Sequence, residues 1–284
     1  MLKFHWFLPT GGDGREVSPG AGDQVREPTL SYLSQVARAA EAVGFDAVLT
    51  PCGTGCEDSW ITTAMLAAQT TRLRFLVAMR PGLITPTQAA QMASTFQRLS
   101  GGRVLVNIVT GAEPAELARF GDYADKSTRY ARTGEFMAAM RGAWAAAPFD
   151  FEGEHYRIDG LSGSPKPVQR PVPLLVGGGG RKILELAGRH ADIVGLNPKL
   201  PNGVIDASAG PDATAEATDR KIGWIRESAV NRSDPTEIYT RIHLAIISDD
   251  RQGMAEALAP ALGISPADAL ESPHALCGSV DEIA

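Results

Sequence analysis

The chain has 284 residues, of which 44% are hydrophobic and 21% charged, and this composition is ordinary for a globular protein with a sizeable core. Its formal net charge of -6 offers no basic surface to phosphate backbones and argues against nucleic-acid binding. Three cysteines and short apolar runs argue against a disulfide framework, a signal peptide and a membrane span. We therefore expect a cytoplasmic protein with neither membrane nor nucleic acid as a partner.

Short β-rich runs alternate with amphipathic helical segments along the chain. The predicted strands cover residues 3–9, 45–50, 73–79, 103–109, 172–176, 192–196 and 237–247. The predicted helices cover residues 29–43, 58–71, 86–99, 113–120, 127–145, 181–190, 213–230 and 251–262. Gly44, Asp58 and Pro86 are typical helix-boundary residues. Residues 149–158 predict a hairpin insertion that turns at Glu152 and Gly153.

Repeated β-then-α order predicts a parallel sheet covered by helices. At this length the pattern favours one (β/α)8 barrel domain over residues 1–284, with a doubly wound sheet as the alternative. The absence of a GxGxxG motif after the first strand weighs against that alternative. An eighth strand is missing from the pattern, and the final GSVDEIA resembles a helix start. We therefore expect a barrel that lacks its last strand and helix, with a truncated C-terminus.

The last predicted strand carries the most informative polar residues. Alternation along residues 237–247 would direct Tyr239, Arg241 and His243 into the barrel and the apolar residues towards the helices. Inward-facing Arg and His side chains are costly unless they bind an anion or take part in catalysis. Arg241 would hold an anion and His243 would move a proton near neutral pH. The alternative is a strand end whose polar groups are hydrated.

A glycine run follows the strand at 172–176 and precedes a helix. Gly177, Gly178, Gly179 and Gly180 would offer backbone amides and a helix N-terminus to a phosphate, and Arg181 would add a positive charge. The alternative is a tight turn between strand and helix.

Cys52 and Cys56 raise the question of a metal or redox site. No second pair and no H-x3-H motif accompany them, and Cys277 is distant, so the sequence predicts no metal site. The spacing also differs from the C-x-x-C of redox pairs. Cys52 is expected to be an ordinary packing thiol, whereas Cys56 precedes a helix start whose dipole would favour its thiolate.

Several longer stretches of the sequence share a resemblance to one protein family. They are the motif from His5 to Gly14, CEDSW (56–60), LRFLVAMRPGLITPTQAA (73–90), LSGGRVLVNIVTGAEPAEL (99–117), RYARTGEF (129–136) and RIH (241–243). Together they resemble the flavin-dependent alkanesulfonate monooxygenases of the bacterial luciferase-like family. The stretches 212–227 and 249–260 look more like members of the same superfamily that use the deazaflavin F420.

The resemblance implies a luciferase-like TIM barrel that acts as a two-component monooxygenase. A separate NAD(P)H-dependent flavin reductase would supply reduced FMN, and O2 would then convert an alkanesulfonate into an aldehyde and sulfite. The resemblance also implies a homodimer or homotetramer. Two alternatives stay open, namely an F420-dependent oxidoreductase that transfers hydride and a non-catalytic flavin-binding barrel.

The resemblance also carries roles to individual residues. Cys56 matches the cysteine beside the flavin, which tunes the binding of reduced flavin. Arg241 and His243 match the family's Arg-x-His, which binds the sulfonate or the oxygen-activated flavin and assists proton transfer. The residues that match flavin contacts are Asn107, Thr110 and Tyr130, with Gly177–Gly180 at the flavin phosphate.

Three features depart from the family pattern. Gly179, Gly180 and Arg181 stand where the family carries serines after the glycine turn. The family's mobile active-site loop is shortened within residues 248–276, and the last strand with its catalytic tyrosine is absent. These departures bear on how the phosphate is held and how the site closes.

Overall fold

The computed structural model describes residues 2–13, 26–163, 165–199, 207–230 and 236–283. The chain divides into two compact units, Met1–Leu174 (unit 1) and Leu175–Ala284 (unit 2). The prediction of one domain over residues 1–284 stays a prediction. Gly14, the last residue of the N-terminal motif, lies outside the described residues, as does part of the loop after residue 196.

Unit 1 is built on four parallel strands that follow one another in chain order. They are β1 (His5–Phe7), β2 (Ala47–Thr50), β3 (Arg74–Met79) and β4 (Val104–Ile108). The helices are α1 (Leu30–Val43), α2 (Ser59–Ala67), α3 (Pro86–Ser100), α4 (Pro114–Arg119) and α5 (Lys126–Trp144). Because the strands are parallel and in register, with Met79 opposite Ile108, their carboxyl ends lie along one edge.

The three predicted helix-boundary residues of unit 1 are confirmed, whereas α2 ends at Ala67 and not at residue 71 as predicted. Gly44 ends α1 in the left-handed conformation with φ of 94°, which a residue with a side chain adopts at a cost. The Asp58 carboxylate accepts hydrogen bonds from the first amides of α2, and Pro86 occupies the first turn of α3. Local sequence therefore determines where α1 ends and where α2 and α3 begin.

The predicted hairpin is also confirmed. It consists of β5 (Phe149–Glu152) and β6 (Arg157–Leu161), which pair antiparallel. The Glu135 carboxylate on α5 accepts hydrogen bonds from the amides of Glu154, His155 and Tyr156 at 2.9, 2.8 and 3.2 Å. These bonds fix the turn of the hairpin against α5.

Unit 2 contains two separate parallel sheets. The first has β7 (Leu174–Gly178), β8 (Ile193–Leu196) and β9 (Glu237–Thr240), and the second has β10 (Leu244–Ile247) and β11 (Ala275–Gly278). The helices are α6 (Arg181–His190), α7 (Ala215–Ser228), α8 (Arg251–Leu262), α9 (Pro266–Glu271) and α10 (Val280–Ile283). In the described part of this unit no fourth strand joins β7–β9. Among the helices of the described ranges, none has the length and apolar character to cross a membrane.

The prediction of one strand over residues 237–247 is wrong. β9 pairs with β8 as far as Thr240, and β10 pairs with β11 from Leu244, so Arg241, Ile242 and His243 belong to no strand. The apolar residues of this stretch are not uniformly buried either, because Ile238 is 40% and Ile242 38% exposed. Alternation along one continuous strand therefore does not describe where Arg241 and His243 point.

Candidate functional site

In unit 1 the loops after β1 and β2 approach each other closely around Cys56. The Glu57 amide donates to the Thr10 carbonyl at 2.9 Å. A Cβ on Gly11 would lie 2.6 Å from the Gly55 carbonyl oxygen and 3.6 Å from the Cys56 Sγ. Only glycine fits at position 11, and the Cys56 thiol lies against this glycine.

The other residues of the CEDSW motif anchor this loop to its neighbours. Asp58 caps α2, while Ser59 Oγ and Trp60 Nε1 donate to the Ala78 carbonyl near the end of β3, at 2.7 and 3.2 Å. The motif thus fixes the start of α2 beside β3. Its Cys56 thiol is the group that faces the loop after β1.

Arg80, which was not among the predicted site residues, connects the loops after β2 and β3 with α4. Its side chain is 7% exposed, and its Nη2 lies 2.7 Å from Glu116 Oε2 and donates to the Cys52 carbonyl at 3.5 Å. Glu116 Oε1 in turn accepts from the Thr54 amide at 3.2 Å. Within the described ranges, Arg80 Nε and Nη1 are buried without an acceptor. The guanidinium therefore presents an edge with unused donors.

The cysteines of this region are free thiols. Burial raises the pKa of Cys52, even though the nearby Arg80 guanidinium works in the opposite direction. Cys52 is therefore protonated at neutral pH, in keeping with a packing role. Across the part of the chain that the structure describes, no group of three or more His, Cys, Asp or Glu residues is placed to hold a metal ion.

Asn107, Thr110 and Tyr130 lie on β4, in the loop after it and on α5. Arg129 Nε donates to the Thr110 carbonyl at 3.2 Å, and Arg129 is itself 6% exposed. This bond ties the loop after β4 to the helix that carries Tyr130, whose pKa burial raises. Asn107 is half-buried between Val106 and Ile108, which are buried.

In unit 2 the glycine run joins β7 to α6. Gly177 and Gly178 end the strand, and Gly180 precedes α6 without a side-chain cap. A Cβ on Gly179 would lie 2.6 Å from the Lys199 nitrogen, so glycine is required there by close approach of two backbones. Arg181, in contrast, pairs with Glu185 one turn into the helix, at 2.7 Å, and its side chain is 60% exposed.

Arg241 and His243 are held in the segment between β9 and β10, where the main chain is bonded to His274. The His243 amide donates to the His274 carbonyl at 2.8 Å, and the two imidazole rings are 5.9 Å apart. Burial, followed by the charge of Arg241 and by His274, lowers the pKa of His243 to about 4. His243 is therefore neutral at pH 7. His274 was not among the predicted site residues.

A family model described as luciferase-like monooxygenase matches residues 2–276. This span covers nearly the whole chain and includes every predicted site residue in both units.

Three solved structures share the fold. An EDTA monooxygenase from Chelativorans sp. BNC1 superposes with a TM-score of 0.69 at 19% identity over 91% of this chain. A long-chain alkane monooxygenase gives 0.70 at 17% identity over 92% of this chain and 68% of its own. An F420-dependent secondary alcohol dehydrogenase gives 0.67 at 19% identity over 99% and 87%. The chain spans 65% of the length of the EDTA monooxygenase. These likenesses confirm the predicted luciferase-like (β/α)8 barrel class.

Replacement of Glu116 by Ala tests the role of the Arg80 ion pair. The change leaves the buried guanidinium without its carboxylate, so we expect the free energy of unfolding to fall by about 2 kcal/mol. Urea unfolding followed by circular dichroism measures the loss. The control is Glu113→Ala, since Glu113 is an exposed carboxylate that makes no side-chain cap of α4. Equal losses in both variants would contradict the assignment.

Proposed function

This chain belongs to the luciferase-like monooxygenase family, and we propose that it is a flavin-dependent monooxygenase acting on alkanesulfonates. In the proposed reaction, an alkanesulfonate, O2 and reduced FMN give an aldehyde, hydrogen sulfite, water and oxidised FMN. One oxygen atom enters the aldehyde and the other leaves as water, while the carbon–sulfur bond breaks. A separate NAD(P)H-dependent flavin reductase would supply the reduced FMN.

The observation that carries the proposal is the neutral histidine beside an arginine in the segment 241–243. Arg241 offers a planar cation that suits a sulfonate, whose oxygens accept paired hydrogen bonds. His243 is kept neutral by burial and by the Arg241 charge, so its imidazole is ready to accept a proton. A sulfonate bound to Arg241 would offset that charge and strengthen the imidazole as a base.

The residues present are suited to a flavin. When bound, reduced FMN would supply the two electrons needed to activate O2. The amides at the start of α6 have no side-chain cap, and nothing in the described chain would meet a Cβ on Gly180, so a phosphate has both donors and space. In unit 1, Thr10 Oγ1 and Arg80 Nε and Nη1 are buried donors without an acceptor in the described ranges, as expected where ligand oxygens bind.

Roles for the remaining site residues follow from this proposal. Cys56 would lie beside the flavin ring and tune its affinity as a neighbour that forms no bond to substrate. Asn107, Thr110 and Tyr130 would contact the flavin, and Gly177–Gly180 would hold its phosphate. Arg181 would act on the phosphate only after leaving Glu185, because the two side chains are paired at 2.7 Å.

A second candidate is an F420-dependent oxidoreductase that transfers hydride without O2. It is favoured by the likeness to the F420-dependent secondary alcohol dehydrogenase, of whose length this chain covers 87%. A barrel that binds flavin without catalysis is the third candidate.

The decisive experiment combines cofactor binding with product release. We expect reduced FMN to quench protein fluorescence with micromolar affinity, and sulfite to appear from octanesulfonate in the presence of a flavin reductase, NAD(P)H and O2. F420 binding without reduced-FMN binding would instead establish the second candidate. Flavin binding without sulfite from a panel of alkanesulfonates would establish the third.

Replacement of Arg241 by Ala should remove most turnover of octanesulfonate, because the sulfonate loses its planar cation. We expect kcat/KM to fall by about a hundredfold, equivalent to about 2.7 kcal/mol of transition-state stabilisation. Arg226→Ala, which removes an exposed arginine of α7, is the matched control and should be near normal. Near-normal kinetics of Arg241→Ala would refute the role of Arg241.

The neutral state of His243 predicts a pH dependence. Without substrate its pKa is about 4, below the ordinary 6.5, so kcat/KM should hold until the pH falls towards 4. A bound sulfonate favours the protonated imidazole and raises that pKa, so the acid limb of kcat should lie at higher pH than that of kcat/KM. Stopped-flow and steady-state rates across pH 3.5–8 measure both limbs. Coincident limbs would contradict a sulfonate beside Arg241 and His243.

A further inference from the structure

His274 makes contacts with both ends of the break between β9 and β10. Its Nδ1 lies 3.1 Å from Thr240 Oγ1 and 3.2 Å from the Arg241 carbonyl oxygen. Its carbonyl accepts from the His243 amide at 2.8 Å. One residue thus contacts the end of β9 and two residues of the segment that leads into β10.

The protonation of His274 follows from these partners. A carbonyl oxygen can only accept, so a hydrogen bond to the Arg241 carbonyl places the proton on Nδ1, whereas a bare Nδ1 would accept from Thr240 Oγ1. With the proton on Nδ1, Nε2 carries a lone pair, and this atom is buried without a partner among the described residues. Burial lowers the pKa of His274, helped by the charge of Lys221, and this outweighs the opposite effects of the hydrogen bond to the Arg241 carbonyl and of Asp212, so the ring stays neutral at pH 7.

His274 is itself held firmly from its other side. The His274 amide donates to Ser272 Oγ at 3.3 Å, and Ser272 Oγ donates to the Ala213 carbonyl at 2.7 Å. The residue is 3% exposed. The imidazole therefore has little freedom to move, and it can impose its position on the segment it contacts.

Apolar packing alone would be served better by another residue. A buried imidazole with one unsatisfied nitrogen is less favourable than a leucine of similar volume, because the lone pair loses its water without gaining a donor. A histidine at this position is explained if its Nδ1–H donates a hydrogen bond to a particular acceptor. The Arg241 carbonyl, in a stretch that belongs to no strand, is the acceptor within reach at 3.2 Å.

We propose that His274 is a positioning residue for Arg241 and His243. Its Nδ1–H orients the Arg241 peptide and its carbonyl fixes the His243 amide, so the segment 241–243 is held in one conformation where the strand pairing changes. The functional consequence rests on the proposed roles of Arg241 and His243. The structural statement stands independently of them.

The first test is the tautomer of His274 in the intact chain. Long-range proton–nitrogen NMR on protein labelled with 15N-histidine separates protonated from bare ring nitrogens. We expect His274 to carry its proton on Nδ1 at pH 7. A proton on Nε2 would overturn the proposal, because the Arg241 carbonyl would then have no donor from this ring.

The second test compares three variants. His274→Leu removes the donor and should shift the amide resonances of residues 241–243 and lower kcat by about tenfold to a hundredfold. His274→Asn places an amide nitrogen near the Nδ1 position and should restore both readouts to within about threefold of the parent rate. His155→Leu is the matched control, because its Nε2 is equally buried and unpartnered but lies on the hairpin of unit 1.

The outcomes separate this proposal from the proposed function. Unchanged amide resonances at 241–243 in His274→Leu, or failure of His274→Asn to restore them, would overturn the positioning role. Absence of sulfite from the parent protein would refute the sulfonate reaction, and the tautomer and the amide resonances would still decide the role of His274. If His274→Leu does not fold, the tautomer and His274→Asn decide it.

Discussion

The buried guanidinium of Arg80 is the interaction on which the loops of unit 1 depend. Parallel strands bring their carboxyl ends to one edge but leave the loops beyond that edge without a ladder to hold them. Arg80, directly after β3, joins the Cys52 carbonyl to Glu116, and Glu116 continues to the Thr54 amide. The loop that carries Cys56 is thus fixed by a buried charge pair, which also leaves two guanidinium nitrogens for a ligand.

In unit 2 a buried lysine holds the neighbouring loop in the same way. Lys221 on α7 is fully buried, and its ammonium group reaches the Asn197 carbonyl, the Asp212 carbonyl and the Asp212 carboxylate at 3.0, 2.7 and 2.6 Å. The Asp212 carboxylate also accepts from the Lys199 amide. Three acceptors match the three donors of an ammonium group, so the charge is compensated where it is buried. Because this loop has a fixed position, the backbone of Gly179 can pack closely against it at Lys199.

Local sequence predicted the bounds of most helices and strands, but it failed where one segment changes its strand partner. The bounds of α6 and α8 agree with the predicted 181–190 and 251–262, because amphipathic spacing and caps are properties of the helix itself. The stretch 237–247 kept one alternating pattern while its pairing moved from β8 to β11. The roles of Glu116 and His274 were missed for a related reason, since their partners lie 36 and 33 residues away in the sequence.

The site residues illustrate the difference between a shared fold and a particular chemistry. Structures named for EDTA, a long-chain alkane and a secondary alcohol share this architecture, so the architecture does not select the charge of the substrate. That selection depends on how each cation is compensated. Arg80 and Lys221 have acidic partners within 2.7 Å, and their charges serve the loops first. Arg241 is exposed and lies beside the half-buried His243 and the buried His274, and an anion bound to Arg241 would change the protonation of His243, the property that the proposed reaction requires.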